Sequence, residues 1–594
     1  MVERISFSDI VVASVRKAYY RVSTDFGAPI RALRLKSTFV PGFEIYPQNI
    51  CLGSSEQGLK LLDGRFILGS QSQDVGSSGI PWNVSAPSEP FARKLHSFDW
   101  LNDIAAVRLD TKLLRKKPHY NEMAQDRACQ FVDHWVLEFG KWNTYAWESD
   151  ILIHRVFSWL SNWQVLLGEN AETNEAKARR ACLYRQLKYL RQIYKRTPAG
   201  VMRLKAAACL VLGGACFNGK QEGFLDKGLD LLDDELDAQI LADGGHISRN
   251  PENLVKILEI LLITESALKN RGVTGAKEIR RSIKRITPMI LFFLAPDGDL
   301  FGFNGGGQFG AQQLKKLMKL KPVEVKSFGY APHMNFQRLA RNGTVLMVDV
   351  GGSPERPYDL EAHLAPLAFE MCTGAGRLIV NCGWNEKQPQ HWREPMRMTA
   401  AHSTLVLAGA SAGALCKSGY QTRVMGAGIA NVAGPVYAQR KEQETGTWIE
   451  TGHEGYLERY GLVHRRRVYM DLLGTDIRGE DVLYVPMGGV PLTNGKIPFE
   501  IRFHLHPNVK VTLAQDQRSA LLIQPGGHGW RFRTDLGPLC IEPSVYLAEG
   551  AKPRKSEQLV IRGEAYGDGD GQARTNRVRW SLKCLSGVKA SELV

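Results

Sequence analysis

The sequence predicts a multidomain α+β chain in which a helical domain precedes a large antiparallel β-sandwich, and three observations carry that expectation. The chain has 594 residues, more than one hydrophobic core usually organises. From about residue 95 to 320, apolar side chains recur every three or four positions, the period of amphipathic helices. Beyond about 325 the pattern changes to short β-branched and aromatic segments broken by Gly, Asn and Asp, as in sandwiches.

In chain order, residues 1–90 read as an irregular N-terminal segment with short strands, because stretches such as FVPGFEIYPQNICLG and RFILGSQSQDVGSSG alternate apolar runs with Gly, Pro and Ser. Residues 91–327 read as the helical domain. Its helices are expected at Cys129–Phe139, Glu148–Leu167, Ala176–Ile193, Arg203–Phe217, Phe224–Leu241, Glu252–Lys269 and Ala276–Leu294. Short polar links between them predict antiparallel hairpins. The basic run Lys315–Lys326 marks the junction. Residues 328–594 read as the sandwich, with strands in GTVLMVDVG, RLIVNCG, STLVLAG, RRVYMDLLG, FEIRFHLHP, VTLAQ, SALLIQ, WRFRT and QLVIRGEA.

Apolar residues make up 44% and charged residues 23%, so the chain should fold rather than remain disordered. Its formal charge of +15 favours a polyanionic partner. Nucleic acid is not expected, since there is no helix-turn-helix, zinc-finger, RNP-like or basic-heptad pattern; an acidic polysaccharide fits the same charge. Cys209 and Cys216 lie in apolar helical stretches and read as reduced core thiols. The longest apolar runs, Ala206–Phe217 and Ile286–Ala295, fall short of the roughly 20 residues of a membrane span. The first residues lack the long apolar region of a signal peptide, which by sequence implies a cytoplasmic protein. Oligomeric state cannot be read from the residues.

The densest polar motifs are Glu361-Ala-His363-Leu-Ala-Pro-Leu-Ala-Phe-Glu370, Gly376-Arg-Leu-Ile-Val-Asn-Cys-Gly383 and Ala400-Ala-His-Ser-Thr-Leu-Val-Leu407. With them, the chain resembles the heparinase II/III-like family, over Arg465–Asp471 and Arg502–Pro507 as well. Over the helices, Asp243-Gly-Gly-His-Ile-Ser-Arg-Asn-Pro251 is similar to the family's cleft-facing connection. The resemblance implies an α/α-toroid-like helical domain, a bacterial protein of the periplasm or cell envelope, and lyase activity on an acidic, uronate-containing polysaccharide by β-elimination. The alternative is a non-catalytic glycan-binding or envelope protein on the same scaffold.

The resemblance also implies a zinc site at His363, Asn381 and His402, although Asn381 stands where an acidic ligand is expected and an amide is a poor zinc ligand. In the family's lyases an Asn or His, a Tyr and a His do the chemistry; the matching positions here hold Val201 or Met202, Asn253 and Glu361. The replacement candidates are His246, Arg249, Asn250, Glu252 and Asn253 on the helical side and Glu361 and His363 on the sandwich side. Tyr330 and Tyr358 are the nearest phenols for an acid. Arg249 with Asn250 would clamp a carboxylate, or the segment would cap a helix, with Ser248 or Asn250 before Pro251 as the N-cap. Glu361 would act as a base were its pKa raised by burial, or would pair with an arginine. Asn385, Glu386 and His391 would join the site or form a solvated loop. The aromatics of Trp135–Trp163 would stack sugars or build core. The FNGGGQFG loop at Phe303–Gly310 is expected to be flexible and to cover a cleft. His504 and His506 share one face of a strand and receive no role.

Overall fold

Helices and strands follow one another as two blocks, helical to residue 320 and strand-rich from 330. The computed structural model describes residues 40–585 except 51, 168–171, 219–222, 321–327, 417–418, 432–435, 488, 490–491, 493–494 and 567–575, with isolated positions between 11 and 35. Of the expected junction at Lys315–Lys326, the first part ends the helix Ala311–Leu320, while 321–326 and the first ten residues lie outside the described residues. Among the described residues no helix is long and apolar enough to cross a membrane.

The N-terminal segment is more helical than its composition suggests. A helix at Ser55–Leu62, capped by Ser54, leads into a hairpin of Arg65–Leu68 and Gln71–Asp74. Leu61, Leu62 and Phe66 are buried in the core of the helical domain.

The helices fall where the apolar period places them, with shifted ends. Tyr120–Phe139 is two turns longer than read, Asn162 interrupts the expected Glu148–Leu167 helix, and Leu101–Leu109 and Ala311–Leu320 were too short or too mixed to stand out. The Val201–Cys216 helix is apolar all round because it is covered by Ser149–Ser161, Phe224–Gln239 and Pro251–Asn270. Glycines make its closest crossing possible. A Cβ on Gly214 would stand 2.4 Å from the Leu225 nitrogen, and one on Gly228 would stand 2.7 Å from the Val211 nitrogen. Trp135, Trp147, Trp159 and Trp163 are all buried, so this aromatic stretch builds core and presents no stacking platform. Cys209 and Cys216 are buried and free.

The strand-rich block forms two antiparallel sheets, of eight and nine strands among the described residues. Val436–Gln443, Gly446–His453, Val463–Asp471, Asp476–Tyr484 and Arg577–Cys584 run side by side in the first, which continues through Gly529–Thr534 and Ser519–Ile523 to Lys510–Leu513. The second runs from Leu539–Tyr546 through Arg554–Tyr566, Lys496–Leu505, Gly376–Val380, Phe369–Thr373, Thr344–Asp349 and Phe336–Arg341 to Tyr330–Ala331, and Leu405–Leu407 pairs with Lys496–Leu505.

Thr344–Asp349 is buried along its whole length because both faces are covered. Leu346 and Val348 pack in the core between the sheets, while Val345 and Met347 pack with the helices, as the alternation of strand side chains requires. The nine-stranded sheet is thus the middle layer, and the site forms where its connecting loops meet the helices.

Candidate functional site

A cleft of about 470 Å³ opens between the helices and the sandwich loops. Its helical wall is the face of Pro251–Asn270 that carries Asn253, Lys256, Glu259 and Ile260, together with Val201, Met202 and Lys205 one helix back. Its sandwich wall is Tyr358, Leu360, Glu361, Glu386 and Arg393. All the positions matched from the lyases, Val201, Met202, Asn253 and Glu361, therefore line one cleft.

The charges of the cleft are spent on one another. Four carboxylates, Asp99, Glu259, Glu361 and Glu386, face three fixed cations, Lys205, Lys256 and Arg393. Lys256 Nζ lies 3.0 Å from Glu252 and 2.6 Å from Glu386. Burial would lower its pKa, but Glu252, Glu386 and Glu361 together hold it well above the usual lysine range. Arg393 pairs with Glu361 at 3.1 Å. Lys205 stands 3.1 Å from His154 Nδ1, which lies 2.7 Å from Asp99. Glu259 makes no ion pair with these groups, and burial pushes it up to about 7. Burial also raises Glu361, against the pull of Lys256 and Arg393.

In the cleft wall, His246 is largely buried and both its nitrogens are engaged. The Ser248 backbone N–H donates to its Nδ1 at 3.1 Å, so Nδ1 is an acceptor and Nε2 carries the proton toward Gln239 Oε1 at 3.0 Å. Gln239 in turn donates to Glu235 at 2.6 Å. The Ser248 hydroxyl lies 2.6 Å from Nδ1 and accepts from Asn253 at 2.9 Å. His246, Ser248 and Asn253 are thus parts of one polar network, and all three line the cleft. Tyr358 packs edge-on to His246 at 6.4 Å between centroids and is the phenol of the cleft. Tyr330 sits on an edge strand, outside the cleft lining.

Arg249 requires a correction. It does not face the cleft to clamp a carboxylate; it turns into the interdomain junction, pairs with Asp349, and donates to the carbonyls of Met334 at 2.9 Å, Gly352 at 2.6 Å and Asn335 at 3.0 Å. Asn250 is also withdrawn from the cleft. Its side chain caps the Pro251–Asn270 helix by accepting from the Glu252 N–H at 2.9 Å. The loop at 303–310 is a wedge and not a free cover: Gly305 N–H donates to His363 Nε2 at 2.9 Å, Gln308 N–H to Ala548, and Phe309 and Gly310 N–H to Asp299. Gly306 is pressed against Asn250, where a Cβ would meet its Oδ1 at 2.4 Å.

His363 and His402 do come together, but as a hydrogen-bonded pair. Because Gly305 donates to His363 Nε2, the proton of His363 sits on Nδ1 and points at His402 Nε2, 2.8 Å away; His402 Nδ1–H then donates to Met398 O at 2.9 Å. Asn381 spends its amide oxygen on the Ser403 N–H at 3.0 Å and its amide nitrogen on Glu370 at 3.3 Å. With every candidate ligand atom engaged and no carboxylate among them, the three residues do not fit zinc, which favours a closed set of imidazole, thiolate and carboxylate donors.

Buried histidines give the fold an acid-sensitive side. Burial pushes His96, His246 and His504 down to about 3 and His402 and His506 to about 4. The unfolded chain takes up protons at these positions below about 6.5 while the folded chain does not. Their stabilisation is full above that pH and is lost as pH falls toward 4. Asp103 and Glu259, raised to about 6 and about 7, lean the other way and offset part of it. Urea melts at about pH 7.5 and pH 5 should show several kcal/mol lost on acidification, at roughly 1 kcal/mol or more per histidine and pH unit. Equal stability at the two pH values would contradict this.

Asp99, His154, Lys205, Lys256, Glu259 and Arg393 escape a reading by motif. Glu252, Lys256 and Glu259 sit at i, i+4 and i+7 of an otherwise apolar helix, which is the signal that would have found half of the helical wall.

The comparisons with known proteins agree with this architecture. Residues 324–581 match the family described as heparinase II/III-like, C-terminal. FtsZ-localized protein C of Caulobacter vibrioides is 30% identical over 567 residues, covering 95% of this chain and 94% of the relative. The crystal structure of a heparinase III superposes with a TM-score of 0.68 at 15% identity, covering 97% of this chain and 92% of that one. The heparan sulfate lyase HepC of Pedobacter heparinus, as a mutant, gives 0.57 at 15% identity over 98% and 90%. The likeness to these lyases is one of fold, a helical toroid followed by a β-sandwich.

Proposed function

Since the chain belongs to the heparinase II/III-like family, yet its cleft lacks the family's eliminative side chains, we propose that it uses a lyase-like scaffold for binding and does not cleave uronate glycans. The observation that carries this reading is the cleft itself. By the resemblance, Val201 or Met202, Asn253 and Glu361 hold the positions of the lyases' Asn or His, Tyr and His, and in the cleft each fixed cation lies against a carboxylate. Eliminative cleavage needs a donor free to stabilise the enolate and a base free to take the proton. A uronate chain would have to displace these internal pairs, in a cleft where carboxylates outnumber fixed cations. The +15 charge is therefore not concentrated here.

The binding role we favour is at FtsZ, because the relative that matches nearly end to end is named for localising with it. That role implies the cytoplasmic side. Zinc takes no part in it. Purified protein should be retained on immobilised FtsZ from the same bacterium, and Lys256→Met with Glu361→Gln should leave cleft-independent retention unchanged. No retention of wild-type protein would remove the FtsZ role while leaving the cleft argument standing.

A further inference from the structure

The exposed face of the eight-stranded sheet holds a second concavity, of about 900 Å³, far more cationic than the cleft. We propose that it docks an extended acidic peptide segment of a partner protein. Arg531 and Arg533 alternate outward on Gly529–Thr534, and Lys583 stands directly opposite Arg531 on Arg577–Cys584. Like charges facing across a strand pair cost stability. Neither arginine nor Lys583 makes an ion pair or side-chain hydrogen bond with the described residues. The carboxylate facing Lys583 on its other side, Asp476, is taken by Arg478 at 2.6 Å. Arg531 and Lys583 are thus exposed, adjacent and uncompensated, with Arg533 beside them, as an anion site requires.

The same groove is bounded by Trp448, half-buried and packed on Tyr469 at 4.7 Å between centroids. It also contains the carboxylates Asp476, Glu480 and Asp535. Interspersed carboxylates would repel the unbroken phosphate array of a duplex or an anionic lipid surface. A peptide can set a few acidic side chains on the free cations and an apolar one on the indole. From the Trp448 strand to the Arg531 strand is four strand spacings, about 19 Å or roughly six extended residues. This surface is independent of the cleft and of its proposed role.

The test uses a fluorescein-labelled peptide of about ten alternating Glu and Leu residues, which puts every carboxylate on one face of an extended chain. Its Gln–Leu counterpart is the control. Anisotropy should show binding of the acidic peptide alone, weakened at least about tenfold in Arg531→Glu/Lys583→Glu and partly in Arg531→Gln/Lys583→Gln. Lys112→Glu/Lys116→Glu, the same change in net charge on an exposed helix far along the chain, should alter it less than about twofold. Arg531→Gln/Lys583→Gln should melt at or above the wild-type temperature, since it removes a like-charge pair. Equal weakening by the two charge-reversed pairs, equal binding of the Gln–Leu peptide, or unchanged binding in the groove variants would overturn the proposal. So would anionic vesicles or duplex DNA, run in parallel, if they depend on Arg531 and Lys583 where the peptide does not.

Discussion

Replacing Arg466 with methionine should cost the fold about 3–5 kcal/mol, the price of leaving a buried carboxylate without its partner. Arg466 and Asp481 are both fully buried in the sandwich. Asp481 accepts from Arg466 at 2.7 and 3.2 Å, from His464 at 2.8 Å and from Trp580 Nε1 at 2.8 Å. Burial alone would raise this carboxyl, yet Arg466 and His464 hold it far below the usual carboxylate range. The other side of the guanidinium donates to the carbonyls of Leu367 and Ser403 at 2.9 and 3.0 Å, so it also pins the loops that carry His363 and His402. Urea melts should show a lower midpoint with an unchanged slope. The double variant Arg466→Met/Asp481→Leu should recover much of the loss, because an apolar pair needs no compensation. A single variant as stable as wild type would show that the network contributes nothing.

Arg249→Ala should be of similar size and should act on the junction between the domains. It removes the partner of buried Asp349 together with three donors to backbone carbonyls, and buried acceptors without donors cost about 1–3 kcal/mol each. Hydrogen exchange should rise in the 303–310 wedge and at Asn335, Gly351 and Gly352 before it rises elsewhere. Arg249→Lys should rescue little, since one ammonium cannot reach all four acceptors in the planar fan of a guanidinium. Were Arg249 instead a ligand-facing residue, the alanine variant would melt like wild type and lose only binding.

The fold was legible where periodicity is strong. Val201–Cys216 and Pro251–Asn270 show in the sequence because long apolar stripes leave few alternatives, and Thr344–Asp349 because a strand buried on both faces is a continuous apolar run. Val436–Gln443 and Asp476–Tyr484 were not read as strands, since their outward faces are charged and their composition is that of a loop. At the site, Asn250 before Pro251 announced a helix cap, and it is one. Arg249 gave no sign of its partner, because Asp349 is one hundred residues away in sequence and only the packed junction brings the two together. Lys205 and His154 were hidden for the same reason: each is one of a few polar residues on a largely apolar helix, and only the crossing of those helices makes them neighbours.

The claim that the cleft does not carry out eliminative chemistry has one direct measurement. Wild-type protein at high concentration is incubated with heparan, chondroitin, alginate and similar uronate polymers, and the ultraviolet absorbance of the unsaturated uronate product is followed, with a known lyase of each polymer as positive control. The arrangement of Val201, Met202, Asn253 and Glu361 among self-paired charges predicts a flat trace for every polymer. A rise in absorbance that is abolished by Tyr358→Phe or Glu361→Gln, in variants that melt like wild type, would contradict it and return the cleft to catalysis.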